Sequence, residues 1–486
     1  MNRYSRSYLI VMALLLLDGG CHRPARELEL PMDIPEAFSA EGARPMAPQW
    51  WEHFGDSRLD ALVKEALAGN FDLQTAWDRL AQAEAAAKQT NATFWPAVDW
   101  TAGASTSRRD AKLTGTTETR THSLGLAAGY EVDLWSELAA TRRAAQLDVL
   151  AQQEAVDTAA ITISASVTGT WYQLAEAQAL VKIAEAQIVA NKRVLEIVTT
   201  QFRNGAARAA DVLRQRQLVA STQAQLLSSQ ETVEVLQYQL AVLLGRVPSL
   251  AWAGVEIGFA EIAELPAVGV PTEVLWRRPD VRQSYRNVQA ADQRLAVAIA
   301  DQYPRLSLSA GLSTSSGASA QDLFRDWVTN LAANAMGPIF DAGLRKAEVE
   351  RQRAIISERI HFWSEIVLGA LQEVETALSQ DRQQTLLLAS IREQLTLAGQ
   401  TYERNRESFM KGQVDYIRVL ESLQSLQGLE RSEVTARRIL IQRRIDLYRA
   451  IAGPWEMQRP PQARIDDLVK TEPSDADNRS DEQVNP

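Results

Sequence analysis

The chain has 486 residues, enough for several ordinary domains, with 46% hydrophobic and 23% charged residues and a formal net charge of −10. Slightly negative mean hydropathy, and no apolar run of about 18 residues beyond the N-terminus, exclude a bundle of transmembrane helices. The acidic balance, with no basic patch interleaved with aromatics, excludes a nucleic-acid partner, and the single cysteine, Cys21, excludes an intrachain disulfide.

Residues 1–20 read as a signal peptide: Arg3 and Arg6 form the positive region, Tyr8 to Leu17 the apolar core, and Gly19-Gly20 precede Cys21. The pattern resembles a bacterial lipoprotein signal, although Asp18 stands where leucine is usual. It predicts a covalent lipid on Cys21 and, with His22 rather than aspartate following, delivery to the outer membrane. Ordinary signal-peptidase cleavage with Cys21 incidental is the alternative. Residues 21–55 are proline-rich and predict an extended segment.

A first repeat spans 56–245. Leu59, Leu62, Val63 and Leu67 share a helix face, Gly69-Asn70 breaks it, and Asp72 is placed to cap the next helix, which runs to about Ala92. From Trp95 the period becomes two, predicting strands at 95–103 and 122–133; in the second, Leu124, Leu126, Ala128, Tyr130 and Val132 alternate with Ser123, Gly125, Ala127, Gly129 and Glu131. Residues 104–121, rich in Ser, Thr, Arg and Asp, predict a solvated loop. A long helical hairpin then occupies 135–245, broken at Phe202-Arg203-Asn204-Gly205, and Val212, Val219, Leu226, Val233 and Leu240 recur every seven residues along its return helix, the mark of left-handed supercoiling.

Residues 246–270 form a linker, and 271–453 repeat the plan. A helix starts at Pro279 and ends before Tyr303-Pro304; strands follow at 305–313 and 329–338 around a 314–322 loop; a second hairpin fills 343–452, broken at Phe409-Met410-Lys411-Gly412. Its outward run would be about 100 Å long as one helix, too long to stand without a partner. The tail, 454–486, is polar and acidic and predicts partial disorder. Pro96 to Pro304, Gly103 to Gly311, Asp133 to Asp341 and Gly245 to Gly453 all differ by 208, while Gly205 to Gly412 and Leu213 to Leu420 differ by 207, which predicts a tandem duplication.

Four alternating strands cannot close a barrel, for which about eight is the practical minimum, and open edges are not tolerated in a bilayer. If the strands span a membrane, several chains share one barrel; three would supply twelve strands. Trp95, Trp100, Trp135 and Trp327 lie near strand ends, where aromatic girdles sit. Two hairpins in a soluble sheet are the alternative, but the Ser/Gly face suits a polar lumen better than a core.

Trp276-Arg277-Arg278-Pro279-Asp280-Val281, Tyr303-Pro304 leading into a strand, Pro338-Ile339-Phe340-Asp341-Ala342-Gly343 and its counterpart Tyr130-Glu131-Val132-Asp133-Leu134-Trp135 together resemble the TolC/OprM-like outer-membrane efflux factors, in the NodT-like lipoprotein branch serving resistance-nodulation-division pumps. The likeness runs from Trp51 to Pro454. It implies a mixed α/β membrane protein: a homotrimer with a twelve-stranded transmembrane β-barrel continued by a long periplasmic α-helical coiled-coil barrel. It also implies a passive conduit for drugs or small solutes, partnered by a periplasmic membrane-fusion adaptor, an inner-membrane pump of that class and outer-membrane lipid. A duct for type I protein secretion and a soluble periplasmic coiled-coil scaffold are the competing readings.

The resemblance places a periplasmic gate at the second hairpin tip, with Ile417 as an apolar ring, Glu421 as an acidic ring, and Arg418 where relatives carry aspartate. The residues alone favour an exposed first helical turn with an ordinary Arg418–Glu421 pair, and only the resemblance points to a gate. Asp211, in the equivalent turn of the first hairpin, either ties the hairpins together or complements its helix N-terminus. Gly205 and Gly412 suit turn conformations that other residues disfavour. Arg277-Arg278-Pro279-Asp280 reads as a helix start, Asp133 and Asp341 as caps, Phe202 and Phe409 as packing residues. No catalytic constellation, phosphate loop or metal site emerges: His22, His53, His122 and His361 are scattered, and Glu373 and Glu375 read as a solvated helix face. No cofactor is expected besides the lipid.

Overall fold

The structure, a computed structural model, describes residues 30–457 and 459, apart from 44–46, 48, 112–114, 251–254, 262–263 and 318–319. The signal peptide, Cys21 and nearly all of the 454–486 tail lie outside the described residues. A short 3-10 turn, Trp50–Phe54, precedes helices α1 (Ser57–Gly69) and α2 (Phe71–Ala92). Strands β1 (Ala97–Ala111) and β2 (Gly115–Val132) lead into the first hairpin, α3 (Glu137–Arg203) and α4 (Ala209–Leu243). After the irregular linker come α5 (Pro271–Arg277), α6 (Pro279–Ala300), β3 (Arg305–Ser316), a 3-10 turn Ala320–Phe324 and β4 (Trp327–Met336). The second hairpin is α7 (Leu344–Met410) and α8 (Tyr416–Ile451). The duplication is plain in element length: α2, α3 and α4 have 22, 67 and 35 residues, and α6, α7 and α8 have 22, 67 and 36.

Local chemistry sets the helix ends. The Asp56 carboxylate accepts from the Arg58 and Leu59 amides to start α1, and Asn70, not Asp72, caps α2, its Oδ1 accepting from Asp72 and Leu73 at 2.9 and 3.1 Å. Asp72 lies two residues inside the cap and cannot fold back onto the N2 and N3 amides it was expected to satisfy. Asp133 takes the Leu138 and Ala139 amides, and Asp341 those of Gly343 and Arg345.

The four strands form one antiparallel sheet in sequence order. β1 and β2 pair from Ala97 opposite Gly129 to Ala111 opposite Gly115, whereas β2 and β3 pair only from Val132 opposite Leu306 to His122 opposite Ser316. Within the expected 104–121 loop, residues 104–111 and 115–121 are therefore strand, and 105–111 and 115–121 project beyond the rest of the sheet as a two-stranded arm. Polarity reported its solvent, not its backbone: alternating threonines favour extension, and Arg120 pairs with Glu118 at 3.2 Å. β3 likewise runs three residues past its expected end, into the 314–322 segment, and β4 sits two residues earlier than expected.

Residues opposite one another share a face, so the register sorts the sheet. One face carries Val98, Trp100, Leu126, Tyr130, Leu308, Leu312 and Leu331; the other carries Thr101, Ser123, Gly125, Ser309, Gly311, Asn330 and Asn334. The apolar face is open, with Trp100 73% and Leu331 86% exposed, and neither β1 nor β4 has a partner on its outer side in the described chain. Trp135 stacks on Tyr303 at 4.7 Å and donates to the Pro304 carbonyl, tying the start of α3 to the start of β3.

The core lies along the helices, away from the sheet. Trp50, Trp51, Tyr172 and Tyr448 are fully buried in an aromatic knot, with Trp50 stacked on Tyr448 at 5.8 Å. The N-terminal segment straps α7: Leu30, Met32 and Ile34 pack beside Trp363 and Val367, and Phe38 and Ala40 beside Val374 and Leu378. Glu373 and Glu375 are not simply a solvated face. Glu373 takes a 2.9 Å bond from buried Arg278, which also grips Asp280 and the Ala450 carbonyl, and Glu375 accepts the Ser39 amide of the strap. Those partners lie about 95 and 336 residues away in sequence, beyond the reach of helical periodicity.

Candidate channel mouth at the hairpin tips

Both hairpins turn by the same device. Gly205 donates to the Phe202 carbonyl and Ala206 to that of Gln201; Gly412 donates to Phe409 and Gln413 to Ser408. This is a Schellman closure, and it needs a left-handed residue after the helix. Gly205 and Gly412 have φ of 75° and 71°, and a Cβ at either would meet open space, so backbone conformation alone calls for glycine.

The two tips dock through a shared apolar cluster of Val198, Val212, Tyr416, Val419 and Leu420, with Phe409 and Ile417 packed against it. Docking buries one face of α8 and leaves another open: Ile417 is half-buried, and Arg418, Glu421, Gln424 and Ser425 are exposed. Ile417 and Glu421, four residues apart, share that open face. Arg418 and Glu421 make no ion pair; the Arg418 amide donates to the Asp415 carbonyl at 3.2 Å, and Asn405 donates to the Arg418 carbonyl at 3.4 Å.

Asp211 is buried, but its bonds stay within its own hairpin: it accepts from the Arg208 amide at 3.1 Å and the Arg214 guanidinium at 3.3 Å. The tie between hairpins is made one turn on. Tyr416 donates its hydroxyl to Gln215 Oε1 at 2.5 Å, and Gln215 Nε2 donates to the Asn191 carbonyl. Asn191 Nδ2 donates to Thr222 Oγ1 and to Gln427 Oε1, and Gln427 Nε2 donates back to Asn191 Oδ1 at 2.8 Å. Gln187 then joins the Gln427 carbonyl, Glu430 and Arg431. Burial pushes the Tyr416 phenol well above its ordinary range, with the Asp211 charge adding to the shift, so it stays a donor at any physiological pH.

Sequence reasoning passed over Tyr416, Gln215, Asn191 and Gln427. A signal was present: Gln215 and Thr222 sit three residues after Val212 and Val219, where a seven-residue repeat otherwise wants apolar side chains. Among the described residues no cluster of His, Cys, Asp and Glu could hold a metal, and no helix is long and apolar enough to cross a membrane.

The profile of the family described as outer membrane efflux protein matches residues 62–246 and again 270–453. The chain is 31% identical over 488 residues to the pyoverdine export outer membrane protein OpmQ of Pseudomonas aeruginosa, covering 95% of this chain and 100% of that protein. It is 24% identical over 446 residues to nodulation protein T of Rhizobium leguminosarum bv. trifolii, covering 88% and 93%. Among solved structures, the outer-membrane channel OprN superposes with a TM-score of 0.83 at 24% identity, covering 89% of this chain and 99% of that one. CusC superposes at 0.81 and 24% identity, covering 88% and 99%. Each half of the chain carries the pattern, and the protein belongs to the outer membrane efflux protein family: it is an outer-membrane efflux channel and not an enzyme.

Proposed function

We propose that three copies of the chain form one duct, a twelve-stranded barrel in the outer membrane continued by a helical barrel in the periplasm. The observation that carries this is the sheet, with four strands, two unpartnered edges, one exposed apolar face and one Ser/Gly/Asn face. In hydrocarbon such edges must close, and four strands are too few to close on themselves. The apolar face then meets lipid and the polar face lines the lumen. A heat-modifiable trimer on electrophoresis of detergent extracts is the expected result; a monomer in detergent would refute the assembly.

In the trimer the open face of α8 turns to the axis, and three copies of Ile417 and Glu421 close the periplasmic mouth, with Arg418 beside them. Replacing Ile417 and Glu421 together by alanine is expected to raise single-channel conductance in planar bilayers several-fold, and unchanged conductance would remove the gate from these residues. A periplasmic adaptor and an inner-membrane pump open this mouth and supply the energy. Relatives are named for pyoverdine export and for cation, solvent and toluene efflux, which favours small solutes over protein cargo and leaves the choice of cargo to the pump.

Strap geometry supports the lipid on Cys21. From Leu30 to Ala40 the strap moves along α7 away from the sheet, which leaves Leu30 at the strap's sheet-proximal end. Trp363 lies 19 residues from the start of α7 at Leu344, about 28 Å. The nine residues from Cys21 to Leu30 span at most about 30 Å, enough to bring Cys21 to the bilayer. Intact-mass measurement of the membrane-extracted protein is expected to show acyl chains that are lost in Cys21→Ser; an unacylated wild type would sink the assignment.

A further inference from the structure

The strand register continues into the projecting arm, and there it sorts charge as it sorts apolar side chains below. On the apolar face of the sheet the last row holds Ala102, Leu124, Thr314 and Trp327, and a tryptophan on that face marks a bilayer interface. The arm carries the same face onward, away from the helices. Its next rows are Ala104 with His122, Thr106 with Arg120, Arg108 with Glu118, and Asp110 with Thr116. Of the five charged residues in the described arm, only Arg109 stands on the opposite face, opposite Thr117 and two residues from Ser107.

The order of charge on the outward face identifies its partner. Arg120 comes first above the interface row, Arg108 and Glu118 follow, and Asp110 lies farthest out. Each arginine pairs with an acid two residues along its own strand, Arg120 with Glu118 at 3.2 Å and Arg108 with Asp110 at 3.6 Å. In both pairs the cation is the member nearer the membrane. The two guanidiniums are 68% and 71% exposed, so these pairs contribute little and a stronger acceptor displaces them. Arg120 lies four residues beyond Leu124, about 13 Å along the strand and roughly 9 Å in height at a tilt of about 45°. A headgroup layer is about 5–8 Å deep, and an arginine side chain bends back to reach it. Beyond His122 opposite Ser316, β2 pairs with β1 alone, and a hairpin of two strands is marginal in water, so the arm gains from whatever covers it.

Resting on the barrel reading, which turns the apolar face to lipid, we propose that Arg108 and Arg120 bind the phosphates of a phosphorylated glycolipid in the outer leaflet, and that this lipid orders the arm. A guanidinium matches phosphate oxygens in bidentate fashion, and Thr106, opposite Arg120 on the same face, offers a hydroxyl to the adjoining sugar. A merely solvated face, or a protein partner, gives no reason for the cation to take the membrane side of both pairs.

The test uses the full-length trimer in phosphatidylcholine nanodiscs, with and without bisphosphorylated lipid A. Amide hydrogen exchange of 105–111 and 115–121 is compared within each variant, so that a change in the arm's own stability cancels. Lipid A is expected to slow exchange in the wild type about five-fold, as a ligand of the paired arm does, whereas dephosphorylated lipid A and inorganic phosphate leave it unchanged. The slowing should vanish in Arg108→Gln/Arg120→Gln and persist in Arg109→Gln, on the other face, and in Glu118→Gln, which releases Arg120. Equal slowing by dephosphorylated lipid A, or its survival in the double arginine variant, overturns the phosphate assignment. Slowing by inorganic phosphate overturns the lipid as ligand, and loss in Glu118→Gln moves the contact from the arginines to the acid. Conductance in planar phosphatidylcholine bilayers keeps the two readings apart. Trimers that conduct while their arm ignores lipid A overturn this proposal alone; a chain that neither inserts nor conducts overturns the barrel, and this proposal with it.

Discussion

The two hairpin tips share a backbone and differ in chemistry. An offset of 207 carries Gly205 onto Gly412, Arg208 onto Asp415 and Asp211 onto Arg418, so the first turns of α4 and α8 hold the same two charges in reversed order. In the first tip the acid stands inside the helix, where it can accept the Arg208 amide, and it is buried doing so. An arginine has no acceptor to offer an orphan helix amide, and its charge is disfavoured by the N-terminal dipole. Arg418 therefore points to solvent, while Asp415, one step outside the helix, makes no side-chain cap. Duplication supplied two identical turns; the charge swap made one a closed, self-capped end and left the other with a charged open face.

The sharpest break in the symmetry lies further up the hairpins. Arg444 on α8 grips Asp381 on α7 with two bonds of 2.9 and 3.1 Å, both side chains buried, and also donates to the Glu264 carbonyl of the linker. Gln237 stands at the position equivalent to Arg444 in the first hairpin, buried, with its Oε1 unsatisfied. Asp381→Ala should cost about 3 kcal/mol by removing the carboxylate that balances a buried guanidinium, seen as a clear fall in the thermal midpoint. Gln237→Leu should cost less than about 1 kcal/mol or stabilise, since it removes an unmatched acceptor. Equal losses would mean the hairpins depend alike on these positions.

The long helices differ as well. α3 carries Glu154 and Asp157 against Arg282, where α7 carries His361 and Ser364 at the same offset. Burial, reinforced by the Glu154 charge and opposed by Arg282, raises the Asp157 carboxyl from 3.8 to about 6. Because the folded value is the higher, its contribution is fully present below pH 3.8 and is lost as pH rises through 6. Asp157→Asn should therefore raise the thermal midpoint at pH 7.5, by the equivalent of roughly 2 kcal/mol once the ~3 kcal/mol of such a shift is reduced for solvent screening, and leave it unchanged near pH 3.5. A parallel shift at both pH values would show that Asp157 does not titrate in this range. The smallest effect is expected from Arg418→Asp, which restores the acid of the first tip to the second: about 0.5–1 kcal/mol of added stability in the first turn of α8, read as slower hydrogen exchange there. Unchanged or faster exchange would show that the charge order at the tips does not matter.

Much of this architecture was legible in the chain because it is local. A period of 3.6 or 2, a glycine after a helix and a proline at its start are readable within a few residues, and the offset of 207 or 208 doubled every such reading. The gate candidates were legible only by resemblance, since Ile417, Arg418 and Glu421 alone look like any exposed first turn. The arm of 105–111 and 115–121 was not legible, because threonine and charge describe its solvent while pairing across the ladder makes it strand. Nor was the Asn191–Gln427 pair, whose members are 236 residues apart and whose polarity suggested a surface. By itself the sequence determined the helices, most of the strand positions and the duplication. The tertiary structure decided which face of α8 is buried against the first hairpin, which amides meet in the dry interior, and therefore which side chains of the tip remain exposed: burial and hydrogen-bond matching depend on what arrives from the other half of the chain.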